Sequence, residues 1–222
     1  MATELAPGVF QLGSFPANSI NAYVSGGVLF DAKTRHDGKR IVKALRGHQL
    51  TAHALTHAHP DHQGASHHVC TELGLPYWVP DGDADAAQDP SLIGARQPSH
   101  PLATLFVKTM TGPGHPVDRR LQDGDNVGGF RVIDAPGHSA GHVVYWREAD
   151  GVLILGDVLN AMDIITTRKG LTLPKDFVTP DPARNRKSAR ALADLGEPSL
   201  VLFGHGPPWR DGAAFRRFCA AL

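Results

Sequence analysis

Short apolar or alternating runs, each closed by a turn signal, recur along this chain and predict strands. Val9-Phe10-Gln11-Leu12 alternates in character, and Ile20-Asn21-Ala22-Tyr23-Val24 follows a turn rich in Pro, Asn and Ser. Ser25-Gly26-Gly27 then turns the chain into Val28-Leu29-Phe30-Asp31, which predicts a hairpin. Ile41, Val42 and Leu45 stand at helical spacing, so a helix is expected from about Asp37 to Arg46. A second helix is expected from Gly64 to Leu73, stopped by Gly74, and a short strand at Tyr77-Trp78-Val79. The pattern weakens between Pro80 and Pro116, where six prolines fall and only Leu102 to Met110 reads as helix. Such a stretch is either a lid facing a substrate or a passive surface excursion.

Strand signals return at Gly129–Asp134, Val143–Trp146 and Val152–Leu155. A helical pattern over Pro182–Leu195, an apolar strand at Ser199–Phe203 and a helix from about Asp211 to Leu222 close the chain. Two groups of strands, each followed by helices, predict an α/β fold with two stacked sheets and helices outside. The expected organisation is one domain over 1–222, with halves of about 1–120 and 120–222.

Composition narrows the function classes. The 222 residues hold 22 basic and 22 acidic side chains, so there is no charge imbalance to draw nucleic acid or an anionic membrane. No apolar run approaches the roughly 20 residues of a membrane span, and the start shows no basic region followed by an apolar stretch. Cys70 and Cys219 have no motif spacing and read as reduced thiols. These features predict a cytoplasmic protein acting on a small molecule, with neither nucleic-acid nor membrane partners; they leave the oligomeric state open.

The candidate chemistry lies in Leu55-Thr56-His57-Ala58-His59-Pro60-Asp61-His62-Gln63-Gly64. Imidazole and carboxylate are ligands for zinc and iron. The spacing His-x-His-x-Asp-His does not fit one helix face, where ligands recur at three or four residues. It fits a strand that ends and spills into a loop, with His57 and His59 serving one point and Asp61 and His62 another. Three further ligand-type residues follow apolar strands: His138 in Pro136-Gly137-His138, Asp157 in Gly156-Asp157, and His205 in Gly204-His205. Divided by position, His57, His59 and His138 would hold one metal ion, Asp61, His62 and His205 a second, and Asp157 would bridge them. Two metals about 3.5–4 Å apart activate a shared water, so no nucleophilic serine or cysteine is required.

His-x-His-x-Asp-His, Pro-Gly-His, Gly-Asp and Gly-His in this order resemble the metallo-β-lactamase-fold superfamily, over nearly the whole chain from about residue 9 to 210. The resemblance implies a four-layer αββα sandwich with two divalent metals at one edge, zinc first and iron or manganese as alternatives. It implies a hydrolase that cleaves an ester, lactone, thioester or lactam by means of a bridging hydroxide, in a branch similar to the glyoxalase II and lactonase enzymes. Asp61 and Asp157 are the expected catalytic groups, Asp61 orienting the nucleophile or passing a proton to the leaving group. Asp31 is expected to hold the metal loop and His142 to support it without ligating. Residues 158–163 and 166–169 are expected to wall the cleft. Only 17 residues follow His205, so the added helical domain of glyoxalase II is not expected. The alternative on this fold is an iron-dependent oxidoreductase of the sulfur dioxygenase kind. The presence of His62 and His205 favours hydrolysis, because those dioxygenases use only part of the ligand set.

Overall fold

The computed structural model describes residues 2–222. Seven strands form the first sheet in chain order: β1 (Ala2–Ala6), β2 (Val9–Leu12), β3 (Tyr23–Ser25), β4 (Val28–Phe30), β5 (Ala52–Ala54), β6 (Tyr77–Pro80) and β7 (Arg119–Leu121). β1 to β4 are antiparallel and β4 to β7 are parallel. The parallel pairs require crossovers. These are α1 (Gly38–Ala44); α2 (Pro60–Gln63) with α3 (Ser66–Leu73); and α4 (Ala84–Gln88), α5 (Ser91–Arg96) and α6 (Pro101–Met110). The second sheet begins with β8 (Asn126–Val127), β9 (Phe130–Asp134), β10 (Val143–Arg147) and β11 (Val152–Gly156). A separate hairpin, β12 (Asn160–Met162) and β13 (Lys169–Thr172), follows. After α7 (Pro182–Ala191), β14 (Leu200–Phe203) completes the second sheet parallel to β11, and α8 (Gly212–Ala220) covers it.

The burial pattern explains the layering. β4, β5, β11 and β14 are buried throughout, as expected of strands covered on both faces. Phe30, Tyr23 and Ala54 of the first sheet pack on Phe130, Tyr145 and Ile154 of the second, forming the central layer. The Phe30 ring meets Phe130 and Tyr145 edge-on at 5.5 and 4.8 Å. Outside the first sheet, Leu29 and Val24 meet Ile41 of α1, Leu45 just after it, and Val69 of α3. Outside the second, Leu153 and Val201 meet Ala189 of α7 and Phe215 of α8. The result is αββα. Each fully buried large apolar side chain stabilises it by about 1.5–3 kcal/mol.

The expected elements recur with their ends shifted by up to four residues, and β1, β7, β8, the β12–β13 hairpin, α4 and α5 were not anticipated. β1, β7, β8 and the β12–β13 hairpin are too short or too polar to signal locally. The stretch from 80 to 116 is more ordered than its prolines suggest, because three prolines serve other ends than breaking: Pro90 precedes α5, Pro101 opens α6, and Pro80 closes β6. No helix among the described residues is long and apolar enough to cross a membrane.

His53, in β5, illustrates a histidine held neutral by packing. It is fully buried, its Nδ1 lies 3.0 Å from Leu29 O, and its Nε2 lies 2.8 Å from the Ser66 hydroxyl. Burial pushes its pKa down to about 4. The folded value lies below the unfolded one, so this contribution to stability is complete above about pH 6.5 and is lost as pH falls. Denaturation of the wild type at pH 7.5 and 4.5 should show roughly 2–3 kcal/mol more acid loss than His53→Gln, whose side chain does not titrate. Equal losses in the two proteins would remove His53 as the cause.

Candidate metal centre

All the candidate ligands leave the carboxyl ends of strands at one edge. β4 leads to Asp31, β5 to His57, β9 to His138, β11 to Asp157 and β14 to His205. β4 and β5 are parallel, as are β11 and β14. β9 and β11 are both antiparallel to β10, so β9 runs with them. Open parallel arrangements place sites at this end.

The seven side chains named from the motifs converge there. His57, His59 and His138 offer ligand atoms within 4.8 Å of one another, and so do Asp61, His62 and His205. Asp157 groups with His57 and His62 in the same way. Its Oδ1 lies 3.5 Å from His62 Nε2, and its Oδ2 lies 3.6 Å from His138 Nε2 and 3.1 Å from His205 Nε2. Asp157 therefore stands between the two triads. Two glycines permit this closeness. A Cβ at Gly204 would fall 2.0 Å from Asp157 Oδ1, and one at Gly156, whose φ is +55°, would fall 2.7 Å from His142 Nε2.

Each of the five imidazoles is gripped at one nitrogen and leaves the other for the cluster. His57 Nδ1 donates to the Thr56 hydroxyl, which in turn donates to Asp31 Oδ2. His62 Nδ1 donates to the same carboxylate at 2.8 Å. Asp31 also accepts the Thr56 N–H at 2.8 Å, so one buried carboxylate orients both histidines and their loop. His138 Nδ1 donates to the Thr179 hydroxyl, which donates to Lys175 O. His205 Nδ1 donates to Ser19 O. His59 is held from the other side: the Gln97 side-chain amide nitrogen lies 2.6 Å from its Nε2, which leaves Nδ1 as its free nitrogen. A flip of that amide, which puts Oε1 in the same place, lets Gln97 accept the Nε2–H and fix the tautomer. His142 does not join the ligand groups; its Nε2 accepts the Asp157 N–H at 3.0 Å. Burial pushes His142 down to about 3, which keeps that nitrogen a free acceptor.

These grips leave buried polar atoms without partners: His57 Nε2, His62 Nε2, His138 Nε2 and Asp157 Oδ1. Groups of this kind are strongly destabilising when nothing meets them. Four such atoms facing one centre, with nitrogen and carboxylate donors in two triads, fit a pair of divalent cations. The electrostatics differ between the triads. Burial, with the neighbouring imidazoles, pushes His57 and His138 well below the usual histidine value, so both stand as neutral donors. Burial opposes the charge on His205 too, but the Asp157 and Asp61 carboxylates outweigh it and raise the pKa to about 10. Burial likewise acts against the Asp61 and Asp157 carboxylates, yet His62 and His205 hold both below the ordinary range. The second triad is therefore the end that holds protons, which a cation would displace.

Three residues that hold the centre escaped the sequence reading. Asp83 is 2 % exposed and follows β6. Its Oδ2 accepts the Ala58 N–H at 2.9 Å and the Ser139 hydroxyl at 2.6 Å, and its Oδ1 accepts the Gly141 N–H at 2.8 Å. It clasps the His57–His59 loop to the His138–His142 loop. Gln97, at the C-terminal end of α5, and Thr179 are the other two. None belongs to a local motif; the one available signal was their position after or between predicted elements. The Asp61, His138, Asp157 and His205 face opens into a cavity of about 550 Å³.

Comparison with known proteins places this arrangement. A family model described as "Metallo-beta-lactamase superfamily" matches residues 17–205. The chain is 28% identical over 213 residues to the "Probable metallo-hydrolase YflN" of Bacillus subtilis (strain 168), covering 85% of this chain and 78% of that one. It is 29% identical over 128 residues to a hydroxyacylglutathione hydrolase of Methylococcus capsulatus, covering 55% of this chain and 40% of that one. Among solved structures it resembles TTHA1623 "in a di-iron-bound form", with a TM-score of 0.66 and 25% identity, covering 95% of this chain and 94% of that one.

Proposed function

Because the chain belongs to the metallo-beta-lactamase superfamily, we propose that it is a dinuclear metal-dependent hydrolase cleaving an ester, lactone, thioester or lactam bond of a small molecule. One observation carries this reading: five buried imidazoles, each gripped at one nitrogen, turn the other toward a centre shared with Asp61 and Asp157. His57, His59 and His138 would hold one cation, Asp61, His62 and His205 the other, and Asp157 would lie between. When bound, such a pair supplies Lewis acidity and a water of lowered pKa.

The chain's own groups do the rest. Asp31, Thr56, Gln97 and Thr179 hold the imidazole rings before substrate arrives, so no reorganisation is required during reaction. Asp61 lines the cavity and is held ionised beside His205, at 3.1 Å. As a carboxylate it would orient the attacking water rather than hold a proton of its own. The similarity to a hydroxyacylglutathione hydrolase supports a thioester or ester as the bond.

Metal analysis of protein purified without chelator tests the centre, and a panel of lactone, thioester, lactam and phosphodiester tests the bond. Two zinc ions per chain with turnover of a lactone, thioester or lactam is the expected result. A single iron per chain, or turnover of none of those three, would overturn the proposal.

A further inference from the structure

The cavity beside the metal centre has a wall whose chemistry goes beyond the bond to be cleaved. Ile20 from the loop before β3, Phe106, Val107 and Met110 from one face of α6, Met162 from β12 and Val178 all border it. Four separate segments thus present apolar side chains to one space, which opens directly onto His59, Asp61, His138, Asp157 and His205. Its volume of about 550 Å³ lies within the range of small-molecule pockets. At the cluster end stands Asn160, 2 % exposed, with its Oδ1 buried and unpartnered. The next residue, Ala161, donates its N–H to His205 O, which fixes Asn160 beside the ligand loop. An apolar pocket with a few polar groups at one end is built for a ligand with an apolar body and a polar head.

Resting on the hydrolase reading above, we propose that this cavity is an acyl chamber. The substrate is an ester or thioester whose acyl part is an unbranched apolar chain lying against α6 and Met162, with its polar head at Asn160 and the metal centre. Hydrolysis adds water across the acyl bond: the acyl carbon takes the oxygen and leaves as a carboxylic acid, and the alcohol or thiol takes the proton. The product acid carries the same chain that the chamber would bind, so alkanoates are the natural probes.

Isothermal titration of the metal-loaded protein with straight-chain alkanoates from butanoate to dodecanoate tests this. Affinity should rise about fourfold per methylene, the transfer value of a buried CH₂, until the chamber is full. Phe106→Ser should flatten the rise. Leu105→Ser, on the outer face of the same helix and 50% exposed, should leave it unchanged. Asn160→Ala should weaken every chain length by a similar factor. A series independent of length, or one that Leu105→Ser flattens as much as Phe106→Ser, would remove the chamber. Ester turnover measured on the same preparation separates the two readings. Turnover with a flat series keeps the hydrolase and removes the chamber; a steep series without turnover keeps the chamber and removes the hydrolase.

Discussion

Replacing Asp157 by alanine is expected to strip the centre of metal and to lower hydrolysis by about 10³-fold or more, since a metal pair supplies several kcal/mol of charge stabilisation. The reason is positional. Among the described residues, Asp157 is the single carboxylate within 3.6 Å of histidines from both triads. Without it, the two cations would face each other across neutral imidazoles with no charge between them. Its backbone is held independently by His142, so the loop should keep its path in the variant. Circular dichroism close to wild type, with metal content below one per chain, is the expected pair of measurements. Asp157→Asn, which keeps the shape and removes the charge, should lie between the two. A variant that keeps both metals and full activity would show that Asp157 does not bridge.

Asp83→Ala should cost a large share of the stability, roughly 3–5 kcal/mol. The buried carboxylate accepts from three donors on two different loops. Its removal leaves the Ala58 and Gly141 N–H groups and the Ser139 hydroxyl without their shared acceptor. Urea denaturation measures the loss directly. Zinc affinity should fall with it, because the clasp sets the distance between the His57–His59 loop and His138. Second-sphere changes of this kind weaken metal binding by about 10–100-fold. Stability within 1 kcal/mol of wild type, together with unchanged zinc affinity, would show that the clasp is incidental.

The two predictions differ in how far the sequence foresaw them. Asp157 was legible because an apolar strand ending in glycine and then a carboxylate is a local pattern. His57, His59, Asp61 and His62 were legible as a local pattern too, since four ligand-type residues in six positions at a strand end have few other uses. Asp31 and His142 were assigned supporting parts, and the structure locates them on His62 and Asp157 respectively. Asp83 could not be read this way. It sits among prolines and small residues, and its three partners lie 25 to 58 positions along the chain. Gln97 is 38 positions from His59, and Thr179 is 41 from His138. The His67 ring is half-buried against His115, with the two Nδ1 atoms 3.2 Å apart. That contact brings together two stretches separated by a whole crossover.

What the sequence by itself determined, then, is the alternation that makes strands, the helices between them, and the donor types waiting at the strand ends. Those depend on neighbours a few residues away, where hydrophobic period and turn chemistry act. The tertiary structure alone decided which nitrogen each imidazole turns inward, which carboxylate ties one loop to the other, and what lines the cavity beside them. Each of those is a contact between side chains brought together by the packing of two sheets. A hydrogen bond at 2.8 Å depends on where atoms lie in space, and order along the chain does not encode that.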